Sequence, residues 1–385
     1  MIPFEFVTSS RIMFGNGVMK NGINAAKTFG RKALLLFSEK GAPVDQIKTA
    51  CAENSIPFVL YPVDHEPSVA LIQQIVEFSK KNGCDFVIAF GGGSVMDAGK
   101  AASAMMTNSG DLLDYLEVVG NNQPLTKPAA PCVAIPTTAG TGAEVTRNAV
   151  LAVPEKQVKV SLRSTYLLPR LAIVDPEMTL GLPPAVTAFT GLDALTQVIE
   201  PFTSIKHNPL MDAICRDGII RSARSLKTAF HDGNDLAARY DLSLTSLYGG
   251  LALTNAVLGA VHGFAAPIGG MFDAPHGAIC GVLLPHTIKA NIIALTEREP
   301  DNPVLERFKV IAELLTGNSG ARPEDAVRFL SGLLIELKIP GLRSYGIKSS
   351  DFPLIVERAL NASSMKANPI KLSPDELVEI LEAAY

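Results

Sequence analysis

Asp193 and Gln197 stand four positions apart in GLDALTQVIEP (191–201), among Ala194, Leu195, Val198 and Ile199. On a helix that spacing puts both side chains on one face, one turn above the other. A carboxylate and an amide on so apolar a helix must meet partners, because burying them unpaired is costly. A second kind of chemistry is written in DFVIAFGGGSVMDAGK (85–100), where a short apolar run opens through three glycines into a helical stretch. Glycines let the backbone approach a ligand closely, and the free N–H groups of the helix that follows attract anions. Gly92, Gly93 and Ser94 are therefore candidates for cradling a phosphate, with Asp97 ordering the loop. A second loop, AIPTTAGTGAEVT (134–146), offers the hydroxyls of Thr137, Thr138 and Thr141 without bulk. By itself it reads equally as a polar loop of Ser/Thr turns. Two such loops at strand C-terminal ends mark a dinucleotide crevice.

The elements that must position these residues follow from the apolar pattern. KALLLF (32–37), PFVLYPV (57–63), DFVIAF (85–90), PCVAIP (131–136) and LAIVDP (171–176) are strand-like runs, and 43–54 and 69–83 have helical spacing. Alternating strands and helices with nearly continuous apolar strands imply a mostly parallel sheet covered on both faces. After about residue 180 long helical patterns run to the C-terminus, the last of them SPDELVEILEAAY with a Ser cap, an early Pro and acids behind it. A length of 385 residues exceeds one ordinary domain. The expected division is a Rossmann-like α/β domain over 1–180 and an all-α domain over 181–385, with the functional cleft between them.

Composition narrows the class. Hydrophobic residues make up 47% and charged residues 19%, which describes large packed cores. A net charge of −4 without a basic block argues against nucleic acid or an anionic membrane as partner. Five scattered cysteines, an odd number with no CxxC, fit reduced thiols in the cytoplasm. The N-terminus carries Glu5 and no long apolar run, unlike a signal peptide. Leu242 to Phe272 is uncharged and long enough to suggest a membrane span, but it holds two Gly-Gly pairs, Asn255, His262 and Pro267. A buried helix running into a loop is the expectation there.

GGGSVMDAGK, PTTAGTGAEVT, KVSLRS…AIVDP, GLDALTQ, AVHGFAAPIGG and APHGAICGVLLPH, taken in order, resemble the iron-containing (group III) alcohol dehydrogenase family along essentially the whole chain. The resemblance implies a dehydroquinate-synthase-like architecture and a helical metal-binding domain. Its activity would be NAD(P)-dependent oxidation of small alcohols or reduction of carbonyl compounds, in a homodimer or higher homo-oligomer. It implies a metal held by Asp193, His262 and His276, with Gln197 at the position of the remaining histidine ligand, and these groups at the catalytic centre. An acid at i with a ligand at i+4 gives two arms of a chelate. Such carboxylate and imidazole donors suit Fe²⁺ and Zn²⁺ alike, Fe²⁺ being the family's metal. Lys159 would lie near the nicotinamide ribose, and Ser38, beside Glu39, at the position that senses the adenosine 2′ group of NAD or NADP.

The chain departs from the family at three places. Gln197 replaces a histidine, and a neutral amide is a weaker donor, so it is expected as fourth ligand or as an amide behind the ligands. Ala266 stands where many relatives carry a proton-relaying histidine, and Ala143 where TGSE is usual. These departures keep two alternatives open: a metal-independent reductase resembling maleylacetate reductase, in which a histidine acts as acid, and a catalytically decayed nucleotide-binding homologue. Lyases of the same architecture need several charged groups for a phosphorylated substrate, and the apolar surroundings of His262 count against them. His65 and His286 read as ordinary histidines, and His207 stays open.

Overall fold

Strands form where short apolar runs are closed off by turn residues. The computed structural model describes residues 3–39, 43–156 and 158–385, which fall into two units. One unit, Val7–Thr138 with Gly142–Leu182, contains β1 (Ile12–Phe14), α1 (Val18–Gly22), β2 (Ala33–Phe37), α2 (Val44–Glu53), β3 (Phe58–Pro62), α3 (Val69–Lys81) and β4 (Phe86–Gly91). It continues through α4 (Gly93–Thr107), α5 (Leu112–Tyr115), β5 (Cys132–Pro136), β6 (Asn148–Val153), β7 (Val158–Arg163) and β8 (Leu171–Val174). Six strands make one parallel sheet in the order β1-β8-β5-β4-β2-β3. Successive residues of a strand face opposite ways, so Leu34, Leu36, Val87 and Ala89 enter one core while Leu35, Phe86 and Ile88 enter the other. That two-sided burial is why the strands read as unbroken apolar runs.

The five expected strands and both expected helices are present. β1 and the antiparallel β6–β7 hairpin are additional. The chain leaves β2 for β3 on one side, then passes to β4 and onward to the other side. The sheet therefore reverses its winding between the carboxyl ends of β2 and β4, the place where open α/β sheets hold their ligands.

The other unit comprises Pro183–Tyr385, Ala139–Thr141 and the N-terminal stretch to Phe6. Its helices are α6 (Pro184–Thr203), α7 (Pro209–His231), α8 (Leu236–Ala256), α9 (Ala260–Met271), α10 (His276–Arg298), α11 (Val304–Thr316), α12 (Pro323–Glu336), α13 (Phe352–Asn361) and α14 (Pro374–Ala383). Every residue of α6 from Gly191 to Thr203 is buried, so its apolar residues pack all round the helix and Asp193, Gln197 and Glu200 are enclosed with them. The uncharged stretch 242–272 is not one helix ending in a loop. It belongs to two helices, α8 and α9, bent by 101° at a break around Val257, whose φ is +63°. α10 is long and apolar enough to cross a membrane, yet 72% of its apolar window is buried within the unit. Its apolarity supplies the core.

Candidate functional site

Three helices carry the candidate ligands. Asp193 lies mid-way along α6, His262 in the first turn of α9 and His276 at the first position of α10. Two glycines allow α10 to come against α6. A Cβ on Gly277 would lie 2.0 Å from the Phe189 carbonyl oxygen, and one on Gly281 would lie 2.6 Å from Leu192. Gly259 does the same for α9, since a Cβ there would come within 2.8 Å of Glu200 Oε1.

Glu200 then does two things at once. Its Oε1 accepts the Val261 N–H at 2.7 Å, satisfying an amide of the α9 first turn where a negative charge is favoured. Its Oε2 lies 2.6 Å from His262 Nδ1, so Nδ1 carries a proton and the ring's orientation is set. On the far side of that ring, Nε2 is 3.3 Å from Asp193 Oδ1. His276 Nε2 approaches the same carboxylate oxygen at 3.7 Å. Cys280, one turn along α10 from His276, brings its Sγ to 3.7 Å from His262 Nε2 and 3.6 Å from His276 Nε2. One donor atom from each of Asp193, His262, His276 and Cys280 lies within 4.8 Å of all the others.

Glu200 and Cys280 are functional candidates that sequence reasoning passed over. Glu200 is seven residues from Asp193, hence on the same helical face, and HGAIC repeats the i, i+4 spacing of DALTQ.

The electrostatics of this pocket demand positive charge. With Nδ1–H given to Glu200, a neutral His262 turns a bare Nε2 lone pair toward a carboxylate oxygen, a repulsive pairing unless a cation or a proton lies between. Without a cation, protons take that place. Burial alone would lower the His262 pKa, but the charges of Cys280 and Glu200 and the bond to Asp193 carry it well above the ordinary value. His276 is held up at about 9 by Cys280 and Asp193 against the same burial. Burial would raise Asp193 and Cys280, yet the two imidazoles bring both below their usual ranges. The donor set, one carboxylate, two imidazoles and one thiol, fits a divalent metal ion. A carboxylate behind a ligating histidine is the usual way such a ring is oriented. His276 is 42% exposed, whereas Asp193 and His262 are nearly closed off, so solvent reaches the cluster past His276.

Gln197 is buried on α6 next to this cluster. Its Nε2 donates to the Gly140 carbonyl at 3.4 Å and its amide also helps to lower the Asp193 pKa. Its Oε1 has no hydrogen-bond partner and lies 3.6 Å from where a Cβ on Gly249 would sit. Ala266, one turn beyond His262, exposes only a methyl group. His207 belongs to a surface group, with Nδ1 accepting from Arg307 at 2.8 Å and Asp212 3.4 Å away.

Of the candidate cofactor residues, Ser38, Gly92, Gly93, Ser94, Thr137 and Thr138 lie at the carboxyl edge of the parallel sheet. Phe37 pairs with Phe90, so Ser38 after β2 and Gly92 after β4 leave neighbouring strands. Gly91 pairs with Pro136, which places Thr137 on the other side. Thr138 stands beside Gly92, its Oγ1 3.4 Å from where a Cβ there would sit. Gly92 caps α4, with Gly93 and Ser94 in its first turn. Asp97 turns away from the glycines: it accepts the Val150 N–H at 3.1 Å and pairs with the buried Lys100 at 3.1 Å, tying α4 to β6. Lys100 also donates to the Ala143 carbonyl and to Thr146 Oγ1, both at 2.9 Å. Lys159 on β7 pairs with Glu66 at 2.6 Å. Thr141 lies in the other unit.

A parallel sheet with a dinucleotide-type edge in one unit and an Asp/His/His/Cys cluster in the other are the parts of a nucleotide-dependent metalloenzyme. Residues 9–176 match the family described as iron-containing alcohol dehydrogenase, and 187–385 match its C-terminal part, Fe-containing alcohol dehydrogenase family, C-terminal. The chain belongs to the iron-containing alcohol dehydrogenase family. It is 35% identical to a 1,3-propanediol dehydrogenase of Citrobacter freundii over 99% of each chain. Against alcohol dehydrogenase 4 of Schizosaccharomyces pombe it is 35% identical, over 98% of this chain and 88% of that one. The crystal structure of a 1,3-propanediol oxidoreductase superposes with a TM-score of 0.92 at 34% identity, covering 100% of both chains. The enzyme is accordingly an NAD(P)-dependent alcohol dehydrogenase or aldehyde reductase.

Proposed function

We propose that this enzyme interconverts short-chain alcohols or diols and their aldehydes, with a divalent metal held by Asp193, His262 and His276. The observation that carries the proposal is the convergence of donor atoms from Asp193, His262, His276 and Cys280 within 4.8 Å of one another, closed off except on the His276 side. When bound, the cation would polarise the substrate oxygen as a Lewis acid while NAD(P) exchanges the hydride. The chain's own residues do the rest. Glu200 fixes the His262 tautomer, and Asp193 supplies the negative charge that balances the cation. Gly92, Gly93 and Ser94 take the pyrophosphate through backbone N–H groups at the start of α4. Thr137, Thr138 and Thr141 contribute hydroxyls, Ser38 borders the adenosine ribose and Lys159 the nicotinamide ribose. Asp97 acts behind them by anchoring α4. With Ala266 unable to relay a proton, proton exchange with solvent falls on the His276 side, where the cluster is exposed.

The 1,3-propanediol activity named for two relatives supports the short-chain substrate class. Exposed Phe4 and Phe6 offer apolar surface that association into a homodimer would cover, which sedimentation of the purified chain checks. Metal analysis of protein purified without chelators tests the central reading, alongside turnover over a series of alcohols and aldehydes. About one equivalent per chain is expected, with both metal and turnover lost in His276→Ala. Full activity after exhaustive chelation would overturn it in favour of a metal-independent reductase.

A further inference from the structure

We propose that Cys280 is the fourth protein ligand of the metal, as a thiolate, and that this makes Zn²⁺ the preferred cation. The inference rests on the metal reading above and adds to it the identity of the ligand that completes the set.

Distance is the first ground. In a tetrahedral site with ordinary zinc bond lengths, a ligating N and S are about 3.6 Å apart and a ligating N and O about 3.4 Å apart. The Cys280 Sγ distances to the two Nε2 atoms are 3.7 and 3.6 Å. The Asp193 Oδ1 distances to those atoms are 3.3 and 3.7 Å. Those four separations are close to the edges of such a site, and all four atoms lie within 4.8 Å of one another.

Packing is the second ground. Cys280 is fully buried, and Gly277 and Gly281 on either side of it let α10 close on α6. Cys280 belongs to the apolar core of this unit, where a cysteine usually behaves as a small hydrophobe, yet its sulfur also meets both imidazole Nε2 atoms.

The third ground is Gln197, at the position where the family's histidine is replaced. Its amide nitrogen is committed to the Gly140 carbonyl. Turning the amide to present oxygen as a ligand would set that oxygen against the Gly140 carbonyl, acceptor against acceptor. Gln197 thus braces Asp193 from behind while Cys280 takes the vacancy on the other helix. As the sulfur–metal bond forms, the thiol proton is released to solvent. A thiolate among imidazoles and a carboxylate is a softer donor set than four nitrogen and oxygen donors and favours Zn²⁺ over Fe²⁺, and the substrate oxygen would enter as a fifth ligand.

Cobalt substitution decides the matter, since it reads the ligand and not the turnover. Metal-stripped wild type, Cys280→Ser and Gln197→Ala are titrated anaerobically with Co²⁺, then with Zn²⁺ in competition. Wild type and Gln197→Ala should show a near-ultraviolet thiolate-to-cobalt charge-transfer band. Cys280→Ser should lack the band and bind Zn²⁺ at least ~10–100-fold more weakly. Stoichiometric Co²⁺ binding by wild type without that band would overturn the thiolate ligand and leave the metal reading standing. A band that survives in Cys280→Ser would overturn it as well, by tracing the sulfur to another cysteine. No Co²⁺ or Zn²⁺ binding by wild type would refute both. Should Cys280→Ser fail to fold, Cys280→Ala takes its place in tracing the band, and a wild-type protein that binds Co²⁺ without the band refutes the thiolate by itself.

Discussion

Replacing Glu200 by Gln tests whether the carboxylate behind His262 sets the metal affinity. The side chain has one oxygen on the Val261 N–H at 2.7 Å and the other on His262 Nδ1 at 2.6 Å. A glutamine of the same shape has one acceptor and one donor group. If its oxygen keeps Val261, its NH₂ faces Nδ1 and drives the His262 proton to Nε2, the atom that must be bare to bind a cation. If its oxygen keeps His262, the NH₂ meets the Val261 N–H and α9 loses the satisfaction of its first turn. Either way one hydrogen bond to a charged group is lost. Such a bond is worth about 1.5–3 kcal/mol, or about 10- to 150-fold in affinity. That range overlaps the roughly 10–100-fold cost of removing a partner that orients a metal ligand.

The assay is competition for Zn²⁺ against a chromophoric chelator at fixed pH, with the melting temperature of the metal-free protein as control. A drop in affinity within the stated range, with the metal-free protein still folded, is expected. Unchanged Zn²⁺ affinity in a folded Glu200→Gln protein would refute the reasoning, because the contact with His262 would then have no influence on the nitrogen that faces Asp193.

Gly277→Ala should destabilise the fold by about 1–3 kcal/mol and lower the metal content, because its Cβ would collide with the Phe189 carbonyl oxygen at 2.0 Å; a wild-type melting temperature would show that this glycine does not set the α6–α10 spacing. In metal-free protein the His276 pKa lies at about 9, above its ordinary 6.5, so the stability it contributes is complete below the lower value and lost as pH rises through the higher. The melting temperature of stripped protein should therefore fall across that window. Saturating Zn²⁺ should reverse the trend, since the ligands bind it deprotonated, and melts at several pH values check both signs. NADH should be turned over faster than NADPH. Ser38 is proposed to border the adenosine 2′ group, and the neighbouring Glu39 N–H is held by the Asp64 carboxylate at 2.9 Å, so a 2′-phosphate there would meet negative charge; a preference for NADPH at equal concentration would contradict this.

The fold and the site differ in what a sequence can carry. β2, β4, β5 and β8 are buried on both faces, so each appears as an apolar run that needs no knowledge of its neighbours. β6 escapes the same test for an equally local reason. Its residues alternate between half-buried and buried, but NAVLAV is apolar at almost every position and hides the alternation. β1 spans three residues, too few to show any period. In the site, Asp193 and Gln197 stand out because polar side chains on an apolar helix demand explanation, and Glu200 completes the same face at helical spacing. Cys280 stands out in no such way. A cysteine within CGVLLP is an apolar residue among apolar residues, and only the packing of the helices, with Gly277 and Gly281 letting α10 approach α6, brings its sulfur to the two imidazoles. A glutamine at 197, where the family carries a histidine, is visible as a substitution in one segment. Cys280, the ligand proposed to compensate, sits 83 positions away on a different helix, and its place becomes visible only once distances between helices are known. For the same reason Gln197→His alone should not improve the site: with Cys280 in place, a fifth donor would compete for the cation beside Asp193. Cys280→Ser with Gln197→His should restore Zn²⁺ binding without the thiolate band, and failure of the double variant to bind metal would mean that the two positions are not exchangeable.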